Sequence, residues 1–166
     1  LVANVSDNSI KKEVMLQKGY DAVCFCDILG HAQQKRNTFW HKVYKHLQGI
    51  LLNRPTHVYD YSKHYKELIG EIDKDENVIP QIVPQWDHSP RGGRKTNIYI
   101  NSTPENFAKH VRMAMEAIKG KKEEHQILML KSWNEWAEGN YMEPDLTHGR
   151  GYIDALRQVV DEYRDK

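Results

Sequence analysis

Two glutamates near the end of the chain have the spacing of a catalytic acid pair. Glu135 and Glu138 lie three residues apart, shortly after the apolar run 127–130, which is typical of a buried strand. Positions i and i+3 point to the same side of a helical turn, so a turn after the strand would bring both carboxyl groups to one cavity. In glycoside chemistry one such acid protonates the departing oxygen, while the other acts as base or nucleophile. The spacing therefore predicts acid/base chemistry on a sugar.

Aromatic and polar side chains around this pair are candidates for substrate binding. Trp133 and Trp136 have broad apolar faces with one polar group, which suits stacking on sugar rings. The other candidates are Asn134, Tyr141 and Glu143 beside the pair, and Trp86, Asp87 and Arg91 in an upstream loop. Each residue also has a structural interpretation, with the tryptophans in the core, Glu135 as a helix cap and Glu138 in solvent. The cluster as a whole favours a site.

A longer match supports this interpretation. Residues 133–145, Trp-Asn-Glu-Trp-Ala-Glu-Gly-Asn-Tyr-Met-Glu-Pro-Asp, followed by Gly149 and Tyr152, resemble the signature of the WbsX-like proteins of polysaccharide biosynthesis loci, which are similar to glycoside hydrolase family 99. Residues 84–91 resemble that family's tryptophan-aspartate loop and lie at the expected distance upstream. The two motifs occur in the family's order, and together they span about the last half of the chain.

The resemblance implies roles for the acids. Glu138 would be the general acid, and then the base, at the glycosidic oxygen, and Glu135 would act on the neighbouring sugar hydroxyl. Net retention through a 1,2-anhydro sugar would follow, as in endo-acting α-mannosidases. Glu143 takes the place of the family's acid before proline and would orient the loop. Neither a metal nor another cofactor is expected, because the nine histidines show no metal-binding spacing such as His-Glu-x-x-His; His88 could make a polar contact.

Hydrophobic periodicity alternates between strands and helices along the chain. Strands are predicted at residues 22–28, 57–60, 78–83 and 127–130, and helices at 7–18, 39–51, 65–72, 104–118 and 153–163. Successive strand-helix units predict an α/β fold with a parallel sheet. The resemblance implies a (β/α)8 TIM-like barrel, of which these parallel (β/α) units would be the C-terminal half. The loops after the strands would then gather at one face.

Residues 1–166 are predicted to form a single domain, the C-terminal half-barrel of a larger catalytic domain. A half-barrel exposes two sheet edges and an apolar sheet face, which is an unstable arrangement unless they are covered. We therefore expect either a missing N-terminal half of the barrel or a homodimer partner that completes it. The first residue, Leu1, is not a methionine, which also suggests a fragment of a longer protein.

The overall composition argues against some classes of partner. With 24 basic and 23 acidic residues the net charge is +1, so neither nucleic acid nor an anionic membrane surface is expected as a partner. No apolar run reaches the length of a membrane span, and the first residues do not resemble a signal peptide. Cys24 and Cys26, the only cysteines, are typical of small buried thiols, and we expect a reducing, cytoplasmic location.

Three functions fit these observations. The first is an enzyme of the family 99 type that cleaves or transfers α-linked residues, such as mannosyl residues, of a surface oligosaccharide or polysaccharide. The second is a glycosyltransferase of lipopolysaccharide or capsule biosynthesis, in which Arg91, Arg94 and Lys95 would bind the diphosphate of an activated sugar donor. The third is a non-catalytic carbohydrate-binding module, in which the tryptophans bind sugar and the acids only hydrogen-bond to it.

Overall fold

The main sheet consists of parallel strands that lie side by side. The computed structural model describes residues 1–6, 10–26, 43, 47, 57–93 and 96–164. In spatial order the strands of this sheet are β1 (Val2–Val5), β2 (Ala22–Phe25), β4 (Gln81–Ile82) and β6 (Met129–Leu130). The β2 strand joins the β4 segment through a parallel bridge between Val23 and Val78. The predicted α/β class with parallel strands is therefore confirmed, and β1 is an addition.

Some predicted features fall outside the described residues. The end of the first predicted strand, residues 27–28, is one of them. The helix predicted over 39–51 is another, since only Val43 and Leu47 of that range are described, both as helical. Positions 94 and 95, two of the basic residues considered for a diphosphate, also lie outside.

A second pair of strands lies beside the loop that follows β4. The β3 strand (His57–Asp60), which was predicted, pairs in parallel with β5 (Asn97–Ile100), which was not. The amide of Tyr99 donates to the carbonyl of Trp86 at 2.8 Å, so β5 also runs against the loop after β4. Hydrophobic periodicity predicts that a segment is a strand, but it does not predict which strand it pairs with. The pairing of β3 with β5 was therefore not predictable from the local sequence.

The helices are α1 (Lys12–Gln17), α2 (Tyr61–His64), α3 (Ser89–Gly92), α4 (Pro104–Ile118) and α5 (Gly151–Arg164). Single 3-10 turns occur at Tyr65–Glu67, Glu71–Lys74, Glu123–His125 and Trp136–Glu138. The helix predicted over 65–72 is therefore wrong in type, because short turns replace it. In the described part of the chain, no helix has the length and apolar character that crossing a membrane requires.

Helix α4 begins where its sequence predicts. The Thr103 hydroxyl accepts a hydrogen bond from the amide of Asn106 at 3.3 Å, and Pro104 occupies the first turn, where its missing amide hydrogen costs nothing. The buried face of α4 includes Phe107 and Val111 and packs against α5 in the largest core cluster. This cluster also includes Ile82 of β4, so the two long helices cover the main sheet.

Helix α5 buries a face that includes part of the predicted stripe. Of the apolar residues 153, 156, 160 and 163, Leu156 and Tyr163 pack partly buried against the core, and the fully buried residues are Tyr152, Ala155 and Val159. The hydroxyl of Tyr152 donates to the carbonyl of Ser102 at 2.5 Å, and its ring packs edge-on against Phe107. These contacts determine the rotation of the helix, and the small Ala155 allows close packing on α4.

A buried tyrosine-histidine pair links α4 to the end of β4. The hydroxyl of Tyr61 donates to the carbonyl of Val83 at 2.6 Å and lies 2.8 Å from Nδ1 of His110. Because this hydroxyl has given its hydrogen to the carbonyl, Nδ1 of His110 is the donor in the second bond. Burial in the core lowers the pKa of His110 to about 4, so the ring is neutral near pH 7.

The buried His110 should make stability fall in mild acid. Its pKa is about 4 in the folded state and 6.5 for the free side chain, so between these values the unfolded chain binds a proton that the folded chain does not. The free energy of unfolding is therefore unaffected by His110 above pH 6.5 and falls as the pH is lowered towards 4. The slope is about 1.4 kcal/mol per pH unit, or about 3 kcal/mol in all. Urea unfolding of wild type and His110→Gln from pH 7.5 to 4 measures it. Equal pH dependence in the two proteins would contradict the prediction.

Candidate functional site

The site lies in a hairpin that follows β6. Its strands are β7 (Asn134–Glu135) and β8 (Asn140–Tyr141), which pair antiparallel, and the turn between them contains Trp136–Glu138. Gly139 closes this turn in the left-handed region, with φ of 52°. A Cβ atom at this glycine would lie 3.0 Å from both the amide nitrogen and the Cβ of Asp87. A glycine is therefore required, because the hairpin closely approaches the loop after β4.

One arginine side chain contacts both glutamates. The Nη1 atom of Arg91 donates to Oε1 of Glu138 at 2.8 Å, and Nη2 lies 3.7 Å from Oε1 of Glu135. The side chain of Glu138 is 19% exposed, and that of Glu135 is 40% exposed. Both carboxyl groups thus lie within the reach of a single guanidinium group.

His88 also contacts Glu138. Its Nε2 atom lies 3.3 Å from Oε1 of Glu138, the same oxygen that Arg91 contacts. The sequence suggested only an unspecified polar contact for this histidine. Its position one residue after Asp87, in the loop that meets the hairpin, was the available signal.

Trp136 is fixed by two neighbours. Its ring stacks on Tyr141 with a centroid distance of 3.7 Å and an interplanar angle of 14°, and its Nε1 donates to Oε2 of Glu143 at 2.6 Å. The side chain still has a relative exposure of 48%, and that of Trp133 is 49%. Tyr141 and Glu143 therefore support Trp136, while both tryptophans offer apolar surface to solvent.

The remaining predicted residues divide into exposed and supporting ones. Asn134 is exposed on β7. The Asp87 carboxylate accepts a hydrogen bond from the amide of Ser89 at 2.9 Å, which turns the chain into α3. The ring of Trp86 is half-buried against a core cluster of four tyrosines, Tyr59, Tyr61, Tyr65 and Tyr99. Nζ of Lys131 lies 5.6 Å from its centroid. Asp87 and Trp86 thus shape the loop that carries Arg91.

The fully buried Asn140 joins the hairpin to this loop. Its Nδ2 donates to the carbonyl of Gln85 at 2.6 Å, and Nε2 of Gln85 donates to the carbonyl of Tyr141 at 3.4 Å. A nearby backbone bond, from the amide of Asp87 to the carbonyl of Glu138, measures 2.9 Å. The sequence did not single out Asn140, although its place beside Gly139 in a tight turn was a signal.

Comparison with curated proteins finds two relatives of unknown activity. Both are named WxcX, from strains B100 and ATCC 33913 of Xanthomonas campestris pv. campestris. They are 29% identical over 104 residues and 31% identical over 101 residues, which is 62% and 58% of this chain. The matched regions are only 15% and 14% of those proteins, so the chain spans a small part of the length of these relatives.

Comparison with solved structures supports the fold. The structure is similar to that of the GH99 endo-α-mannosidase from Bacteroides thetaiotaomicron, with a TM-score of 0.52 and 15% sequence identity. The similarity covers 99% of this chain and 46% of the mannosidase. At this identity the match is evidence of a shared fold.

A family model covers nearly the whole chain. The model described as glycosyltransferase WbsX matches residues 1–156. The resemblance drawn from the two sequence motifs is thereby confirmed, and the chain belongs to the WbsX glycosyltransferase family.

Proposed function

We propose that this chain carries the acid/base pair of a carbohydrate-active enzyme that cleaves or transfers α-linked residues, mannosyl residues among them, of a surface polysaccharide. The observation that carries the proposal is the contact of Glu135 and Glu138 with the one guanidinium group of Arg91. Exposed tryptophan surface beside the acids supports it, because aromatic faces bind sugar rings. Family membership and the fold shared with an endo-α-mannosidase agree with this class of substrate.

The proposed reaction assigns one proton transfer to each acid. Protonated Glu138 gives its proton to the glycosidic oxygen as the bond to C1 breaks. Glu135 takes the proton of the 2-hydroxyl group, whose oxygen bonds to C1 and forms a 1,2-anhydro sugar. Glu138, now a carboxylate, takes a proton from water or from an acceptor hydroxyl that attacks C1. The bond between C1 and O2 breaks, and Glu135 returns the proton to O2. Hydrolysis and transfer differ only in that acceptor.

The proposed substrate contacts fall into two groups. Trp133, Asn134 and Trp136 are exposed and would touch the sugar directly. The other candidates contribute by support: Tyr141 and Glu143 hold Trp136, while Trp86 and Asp87 shape the loop of Arg91. Arg91 would bind substrate by donating a hydrogen bond to a sugar hydroxyl group in place of its contact with Glu135 or Glu138.

The glycosyltransferase with a diphosphate donor is the second candidate. Arg91 already contacts two carboxylates, so its charge is largely offset before any phosphate arrives. The arrangement of the described residues therefore favours direct acid/base chemistry. A non-catalytic binding module differs from both enzymes. It would bind sugar through the tryptophans and would not require proton transfer by Glu135 or Glu138.

We also propose that the main sheet is half of a barrel. Among the strands that the structure describes, β1 and β6 are the outer ones, and their side chains Val2 and Met129 have relative exposures of 45% and 38%. Neighbouring strands from an N-terminal half, or from a second copy, would cover such edges and side chains.

Light scattering with a dye-binding assay tests the half-barrel. The chain by itself should have about twice its mass of 19.5 kDa, or should bind a hydrophobic dye strongly because the sheet is uncovered. A cooperatively unfolding monomer that binds no dye would show that the sheet is complete, and would contradict the proposal.

Neutral variants of the glutamates test the proposed function. Glu138→Gln and Glu135→Gln should each lower the turnover of an α-mannosyl oligosaccharide by about 10²- to 10⁴-fold, with little change in its binding. Glu123→Gln, an exposed acid in the turn before β6, is the control and should behave as wild type. Full activity of Glu138→Gln would refute the acid/base role, and a wild type that binds the sugar without turnover would identify a binding module.

A further inference from the structure

Two side chains contact the same oxygen of Glu138. Both Nη1 of Arg91, at 2.8 Å, and Nε2 of His88, at 3.3 Å, contact Oε1. Within the described residues, Oε2 has no hydrogen-bond partner. The two oxygens of this carboxyl group therefore differ, since among the described residues Oε1 is contacted by two side chains and Oε2 by none.

This arrangement is compatible with both protonation states of the acid. In the carboxylate, Oε1 accepts the hydrogen bond from Arg91 and lies beside Nε2 of His88. In the neutral acid with its proton on Oε2, Oε1 is the carbonyl oxygen and can keep both contacts. Arg91 and His88 therefore keep their contact with Oε1 when Glu138 loses or regains its proton. Nε2 of His88 carries a hydrogen in the neutral Nε2-protonated ring as well as in the charged ring.

We infer that His88 is a positioning residue for Glu138. It holds Oε1 together with Arg91, so that Oε2 carries the proton to the glycosidic oxygen and later removes one from the acceptor. The inference rests on the proposed function, because it concerns the orientation of that acid. Proton transfer depends steeply on the position of the donor, which gives the contact a catalytic effect although His88 does not touch the reacting atoms.

The backbone around His88 is built to hold the ring in place. The carbonyl of His88 accepts a hydrogen bond from the amide of Gly92 at 2.9 Å in the short helix α3. A Cβ atom at Gly92 would lie 3.2 Å from Nδ1 of His88 and 2.1 Å from Cγ2 of Thr96. Only glycine leaves room for both side chains. On its other side, the ring of Trp86 lies 6.0 Å from that of His88.

Kinetics of His88 variants test the inference. In His88→Ala, kcat should fall by about 10- to 100-fold while KM changes by less than about twofold, because substrate binding does not use this contact. In His88→Gln, whose amide can also donate to Oε1, most of the loss should be recovered. His125→Ala is the matched control, since His125 forms a similar pair with Glu76 at the opposite end of the strands. Equal kcat for His88→Ala and His125→Ala would overturn the inference.

Chemical labelling of Glu138 tests the contact without any need for turnover. A water-soluble carbodiimide with glycine amide modifies carboxyl groups, and mass spectrometry locates the product. In His88→Ala, the rate of modification of Glu138 should rise at least about threefold, because the carboxyl group has lost a contact. In the control His125→Ala, the rate should rise at Glu76 and stay unchanged at Glu138. An unchanged rate at Glu138 would overturn the inference alone, whereas full turnover of Glu138→Gln would overturn the proposed function itself.

Discussion

The guanidinium group of Arg91 allows two carboxylates to share one end of the sheet. Glu135 and Glu138 would repel each other if both were charged and nothing lay between them. Arg91 contacts each of them and offsets this repulsion. The contact requires the loop after β4 to meet the hairpin after β6, so the site depends on how these two segments are held together.

Adjacent strands bring the two segments to the same place. Because β4 and β6 are parallel neighbours, the chain leaves both of them at the same edge of the sheet. The backbone bond from Asp87 to Glu138, the buried amide of Asn140 and the absent side chain of Gly139 then close the gap. Helices α4 and α5 pack against these strands, because the core cluster that the two helices form includes Ile82 of β4.

The sequence predicted the parts of the site that are local and missed those that depend on distant contacts. The spacing of Glu135 and Glu138 after an apolar run was sufficient to predict that they face one place. The position of His88 after Asp87 indicated the loop but not its contact with Glu138, because that contact joins residues far apart in the chain and depends on strand order. For the same reason β5 was missed, while the start of α4 at Thr103, a local capping signal, was correct.

The central claim is that Glu135 and Glu138 perform retaining chemistry on an α-linked sugar. The most direct measurement is proton NMR of the reducing sugar first released from an α-mannosyl oligosaccharide, before its anomers equilibrate. The α anomer should be released first, because two inversions at C1, through a 1,2-anhydro sugar, restore the original configuration. Initial release of the β anomer would show a single inversion and would contradict the assigned roles of both acids.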